Sequence, residues 1–217
     1  AWFKAPVSTQ TGNIFGASDS GDGSSEIRVI AETNKIHFSI RENETFIVRV
    51  SADATINDNS WHHVAVTNTT SGNKIYLDGV EQAVTYVDGS SSTDAFFDNV
   101  LNIDAVRIGS NVDSSGASQW NFLGNIADVR VYNTALTTEI PILASRIGID
   151  NSIVQSADTR VGHWLLNAET ASGGGAGTDY VQGSHQGTLT NFPVGADRWD
   201  YDAFSVNVQD HTTTTDG

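Results

Sequence analysis

Cysteine is absent from all 217 residues, so no disulfide, thiolate metal site or cysteine nucleophile is open to this chain. Methionine is absent too, so Ala1 is not a start residue. That predicts a chain processed, excised or read as part of something longer. Proline is scarce at 3 residues, while 20 glycines point to many turns. Basic side chains are few: 11 Lys and Arg stand against 26 Asp and Glu, a formal net charge of −15. Nucleic acid is not an expected partner, because binding it requires Lys and Arg to neutralise phosphates, and the same lack argues against an anionic membrane surface. No apolar run reaches the length of a membrane-spanning helix, so no membrane insertion is expected. The acidic excess fits calcium binding or solubility in salty water, where self-repulsion is screened.

What the chain does contain is one short strand after another. Ile27-Arg28-Val29-Ile30, Lys35-Ile36-His37-Phe38-Ser39-Ile40 and Thr45-Phe46-Ile47-Val48-Arg49-Val50 alternate apolar with polar residues, the mark of a strand with one dry and one wet face. Asn34, Asn43, Ser71-Gly72-Asn73 and Asp78-Gly79 supply turns. Residues 88–99 and 110–119 read as long polar loops, where a rigid sandwich commonly carries its function. Thr134-Ala135-Leu136-Thr137-Thr138-Glu139-Ile140 predicts a helical turn capped by Thr134. Two glycosylation sequons occur, at Asn43-Glu44-Thr45 and Asn68-Thr69-Thr70.

Catalytic motifs are missing. There is no paired-carboxylate strand of the glycosidase kind, no Gly-x-Ser-x-Gly elbow, no His-Glu-x-x-His and no phosphate loop. His62 and His63 are neighbours on a strand, so they point to opposite faces and cannot easily share one ion. The chain is not expected to be an enzyme.

The order and spacing of Trp61-His62-His63-Val64-Ala65-Val66, Tyr76-Leu77-Asp78-Gly79, Ile108-Gly109 and residues 124–136, preceded by Ala1-Trp2-Phe3-Lys4 and Asn13-Ile14-Phe15-Gly16, resemble the laminin-G-like (LamG) family. The resemblance implies an all-β fold, an antiparallel jelly-roll β-sandwich of the concanavalin A-like kind, over residues 1–143. Residues 144–160 read as a connecting segment. Residues 161–217 resemble the family's N-terminal third, through Val161-Gly162-His163-Trp164-Leu165-Leu166-Asn167 and Asp179-Tyr180-Val181-Gln182-Gly183. In a standard domain that third comes first. It could complete this sandwich, begin a following repeat of a tandem array, or complete a neighbouring chain.

The resemblance implies a non-catalytic module on an extracellular or virion surface protein, binding glycans or another surface polymer. A structural subunit of a virion decoration, fibre or surface filament, assembling from copies of itself by strand complementation, is the second reading. A glycosidase-like fold without recognisable carboxylates is a weaker third. Sugars stack on exposed rings while Asp, Asn and Gln meet their hydroxyls. Trp120 with Gln119 and Asn121 is therefore one candidate platform, and Phe97 with Asp98 is another. Trp2, Trp61 and Trp164 lie on strand motifs and are read as core. The family often holds a structural calcium with the aspartate of its last strand motif. That implies Asp128 here, with Asp179 at the matching position of the displaced third; the alternative is that Asp128 pairs with an arginine. The Ser18-Asp19-Ser20-Gly21-Asp22-Gly23 segment lacks a closing Glu and is read as a turn.

Overall fold

The structure, a computed structural model, describes residues 1–7, 11–21, 23–112, 115, 117–147, 160–164, 166, 176–177 and 187–188. Two antiparallel sheets carry the fold. The larger is ordered β10(Ala105–Ile108)-β2(Thr11–Ser18)-β3(Glu26–Glu32)-β4(Lys35–Glu42)-β5(Thr45–Asp53)-β9(Thr85–Asp88). The smaller is ordered β13(Asn125–Ala127)-β1(Trp2–Lys4)-β6(Trp61–Thr69)-β7(Gly72–Leu77)-β8(Val80–Glu81). Two-stranded pairs add β11(Asn111–Val112) with β12(Ser118–Gln119), and β14(Val129–Tyr132) with β15(Arg160–Trp164).

The alternation read from the sequence sets the layers. Ile36, Phe38 and Ile40 of β4, Val48 and Val50 of β5, and Ile27 of β3 are buried toward the smaller sheet, where Phe3, Val64 and Ile75 meet them in one core. Burying each such side chain is worth about 1.5–3 kcal/mol. The intervening residues of the same strands form the outer face of the larger sheet. Tight turns fix the register between strands. Asp78 and Gly79 both adopt positive φ, at 50° and 83°, which suits a two-residue hairpin.

Three expectations are corrected by packing. The helical turn starts later than Thr134: the helix spans Ile140–Leu143, with Glu139 as its cap and Pro141 in its first turn. Its position follows from burial of Ile140 and Leu143 against Tyr76 and Leu136, on the outer side of the smaller sheet. The polar stretch 110–119 is not all loop, because Asn111 and Val112 pair with Gln119 and Ser118. Trp2 and Trp61 leave the inter-sheet core and pack, half-buried, against Ala127 and Ile147, while the Trp2 indole N–H donates to the Leu143 carbonyl at 3.2 Å. Trp164 does pack against the main core.

Candidate functional site

Strand register gathers Arg28, Arg41, Arg49 and Arg107 of this acidic chain onto one surface. Arg107 lies opposite Gly16, Gly16 opposite Arg28, Arg28 opposite Ser39, and Ser39 opposite Arg49. Arg41 stands in the adjacent row, opposite Glu26. All belong to the outer face, since their neighbours in each strand fill the core.

Glu26 organises this face. Its carboxylate is 3% exposed, forms ion pairs with the Arg28 guanidinium at 3.0 Å and with Arg41 Nε at 3.1 Å, and accepts a hydrogen bond from the Asn111 amide at 2.7 Å. Arg41 also donates to the Gly23 carbonyl at 2.7 Å and to Glu44 at 3.2 Å. Arg49 pairs with Asp88 at 2.8 Å, and its guanidinium sits 4.6 Å from the centre of the Phe46 ring. Burial pushes the Arg28 guanidinium down from its usual range, with Glu26 opposing that shift. Trp120 projects over Arg28, with the guanidinium 5.7 Å from the ring centre, and is still 46% exposed. Its carbonyl accepts from the Asn13 amide N–H at 2.8 Å, and its φ of 53° turns the chain sharply there.

The same face holds buried polar atoms that lack a hydrogen-bond partner among the described residues: both side-chain atoms of the Asn13 amide, Ser18 Oγ and Ser39 Oγ. Buried polar groups are nearly always satisfied by protein, water or ligand. Guanidiniums flanked by unmet hydroxyl and amide groups, with an aromatic ring beside them, suit a polyhydroxylated ligand bearing a negative charge.

Asp128 belongs to a different cluster. Its φ of 49° separates β13 from β14 and turns the carboxylate inward, 3% exposed. One oxygen accepts from Arg130 Nε at 2.7 Å and from His163 Nε2 at 2.7 Å, and the other accepts from Arg130 at 3.0 Å. Arg160 donates to His163 Nδ1 at 3.1 Å, which assigns the proton to Nε2 and leaves the ring neutral. Burial lowers the His163 pKa, with Asp128 opposing. This cluster clamps β15 onto β14, where Val129 faces Trp164 and Arg130 faces His163.

A laminin-G family model, described as the Concanavalin A-like lectin/glucanases superfamily, matches residues 1–140. The chain belongs to that superfamily. Among curated proteins none matches it. Solved structures share the fold. The CBM40 module of the Ruminococcus gnavus IT-sialidase aligns with a TM-score of 0.55 at 14% identity, covering 65% of this chain and 78% of that one. The same module bound to α2,6 sialyllactose aligns with a TM-score of 0.55 at 15% identity, covering 66% and 79%. A Bacteroides ovatus protein described as a candidate carbohydrate binding protein aligns with a TM-score of 0.53 at 19% identity, covering 90% of this chain and 54% of that one.

Within this lectin and glucanase architecture the sequence candidates fall in two places. Trp120 stands on the arginine-bearing face. Gln119 beside it donates to the Val112 carbonyl at 3.2 Å and so holds the β11–β12 pair, and Asn121 is exposed where it bridges to Asn13. Phe97 is elsewhere: it packs edge-on against Phe15 at 6.1 Å and Phe96 at 5.0 Å on the inner side of the larger sheet, with exposed Asp98 next to it. The two candidate platforms are therefore not brought together. Arg28, Arg41, Arg49 and Glu26 were not singled out from the sequence, because their proximity comes from cross-strand register and not from spacing along the chain.

In this structure the Asp128 carboxylate is taken up by an arginine and a histidine. Both Asp128 oxygens are engaged by cationic or N–H donors, and Arg130 would repel a divalent ion there. This is the arginine pairing weighed against calcium above. Asp179 lies outside the described residues. No group of three His, Asp or Glu among the described residues is arranged to hold a metal. Within 18–23, Ser20 and Gly21 form a turn in which Asp19 accepts from the Gly21 N–H at 2.8 Å. The His62 nitrogens meet Asp78 at 2.9 Å and Asp58 at 3.2 Å, and the Asp78 hydrogen bond raises its pKa despite partial burial.

Proposed function

We propose that this chain is a non-catalytic glycan-binding module of an extracellular surface protein. Its ligand is a saccharide carrying a carboxylate, lying on the outer face of the larger sheet. The observation that carries this reading is the single surface formed by Arg28, Arg41 and Arg49, with Trp120 at its edge and unmet Ser39, Ser18 and Asn13 groups beneath. In this geometry Arg49, whose side chain is 42% exposed, offers N–H donors to the carboxylate. Trp120 offers its ring to the apolar face of a sugar. The fold relative bound to α2,6 sialyllactose supports an acidic sugar. The absence of a paired-carboxylate strand supports binding without hydrolysis.

Calorimetry with 3′- and 6′-sialyllactose, and with lactose as the neutral control, tests this directly. The expected result is binding of the sialylated sugars and a loss of at least tenfold for lactose, since a charge-assisted pair is worth about 1.5–3 kcal/mol. Trp120→Ala and Arg49→Ala should each weaken binding about tenfold while leaving the thermal transition unchanged. Equal affinity for lactose, or no change in either variant, would overturn the assignment.

A further inference from the structure

The inner face of the smaller sheet changes chemistry at its hairpin end. Val66 and Ile75, opposite each other on β6 and β7, pack in the main core. Two residues on, and so on the same face, Asn68 stands opposite Asn73. Asn73 is 1% exposed. Its side-chain nitrogen donates to the Ala95 carbonyl at 3.1 Å, and that of Asn68 donates to the Asp94 carboxylate at 2.7 Å. Both amides therefore meet consecutive residues of the segment that follows β9. Gly72 admits that segment: its φ is 84°, and a Cβ there would lie 2.5 Å from the Ser91 carbonyl oxygen. The two nitrogens are thus spent, while the Oδ1 atoms of Asn68 and Asn73 are both buried and lack a partner among the described residues. Asp94, itself exposed, accepts from Asn68 through one carboxylate oxygen.

We propose that Asn68, Asn73 and Asp94 bind a calcium ion that ties residues 90–95 to the β6–β7 hairpin. What these side chains have left to offer is oxygen acceptors, one of them charged, and no donor. That set suits a hard cation, and calcium takes amide oxygens together with carboxylates. Facing residues on paired strands have Cβ atoms about 4.5–5.5 Å apart. Two oxygens on opposite sides of one calcium, at about 2.3–2.6 Å each, are separated by the same distance. Only one of the three ligands is acidic, so the site is of a different kind from a cluster of His, Asp and Glu. A single charge predicts weak binding, with a dissociation constant of about 10⁻⁴–10⁻³ M. The net charge of −15 favours uptake of a cation.

Titration of the chelator-treated full-length chain with calcium chloride, followed by calorimetry and amide NMR, tests this. The expected result is one saturable event that shifts the side-chain NH₂ signals of Asn68 and Asn73. Asp94→Asn keeps an oxygen but removes the charge, and should weaken binding at least tenfold. Asn68→Asp exchanges a neutral oxygen ligand for a charged one, and should tighten binding at least tenfold; a merely structural Asn68 would give no gain. Asp53→Asn removes the same charge where β5 pairs with Lys35, and should change nothing. Backbone signals of β3 and β4 report that each variant is folded. Unmoved NH₂ signals at saturating calcium would overturn the proposal, as would an affinity that neither Asp94→Asn nor Asn68→Asp changes. Equal shifts with sodium chloride at matched ionic strength would overturn it in favour of a monovalent ion.

Discussion

Replacing Asp128 by alanine is expected to cost about 3–5 kcal/mol of stability, the range for removing one partner of a buried ion pair. The carboxylate is the common acceptor for Arg130 and His163, whose side chains are 4% and 6% exposed. Alanine leaves the guanidinium buried without its counter-charge and removes the anchor holding β15 to β14. Differential scanning calorimetry should show the transition falling by roughly 6–20 °C for a chain of this size. Asp128→Asn should fall between the two, since the amide keeps the shape and one acceptor but loses the charge. The pH dependence has a definite sign. Burial alone would raise the Asp128 pKa, but the His163 hydrogen bond and the Arg130 charge outweigh it and hold the carboxyl well below its ordinary range. Its contribution is therefore complete above the ordinary carboxylate pKa and is lost only as pH falls far below it. His163 yields earlier. Its pKa is lowered by burial, so its share is complete above the ordinary imidazole value near 6.5 and fades as pH falls beneath it. Stability measured downward from pH 7 should thus decline first through histidine, and Asp128→Ala should flatten the steeper acid limb.

Glu26→Ala is the second large effect, expected at about 2–4 kcal/mol. The figure lies below that for Asp128 because Arg41 keeps its bonds to Gly23 and Glu44, and because the Arg41 side chain is 21% exposed. Arg28 fares worse. It is 13% exposed, packed under Trp120, and loses its nearest counter-charge. The Asn111 amide loses its acceptor as well, in a residue that is fully buried. Chemical denaturation should report the loss as a lower midpoint with an unchanged slope. Glu26→Gln should recover part of it by keeping an acceptor for Asn111. Sugar binding should respond differently to the two changes. The alanine variant frees two guanidiniums but lets them reorient, so affinity should fall despite the added positive charge.

The alternation in β3, β4 and β5 made those strands legible, because one face of each is dry and the other wet. Turn residues such as Asn34 and Asp78 marked their ends for the same local reason. Elements decided by tertiary contact were not legible. The helix at Ile140–Leu143 forms where two apolar residues find Tyr76 and Leu136, and no local cap announces it. The β11–β12 pair is two residues per strand, too short for any period to show. Trp2 and Trp61 carry strand motifs, yet the face they occupy depends on what residues 140–147 cover. The proposed binding face was half legible. Trp120 stood out as an aromatic after a polar loop, whereas Arg28, Arg41 and Arg49 read as ordinary wet-face residues until β3–β4–β5 pairing set them side by side.

The most direct measurement is a titration of the isotopically labelled chain with 6′-sialyllactose, followed by amide and indole chemical shifts. Saturable shifts centred on Arg28, Ser39, Arg41, Arg49 and the Trp120 indole, with Phe97 and Asp98 unmoved, are the predicted result. Shifts centred on Phe97 and Asp98, or none at saturating sugar, would contradict a glycan site on the outer face of the larger sheet.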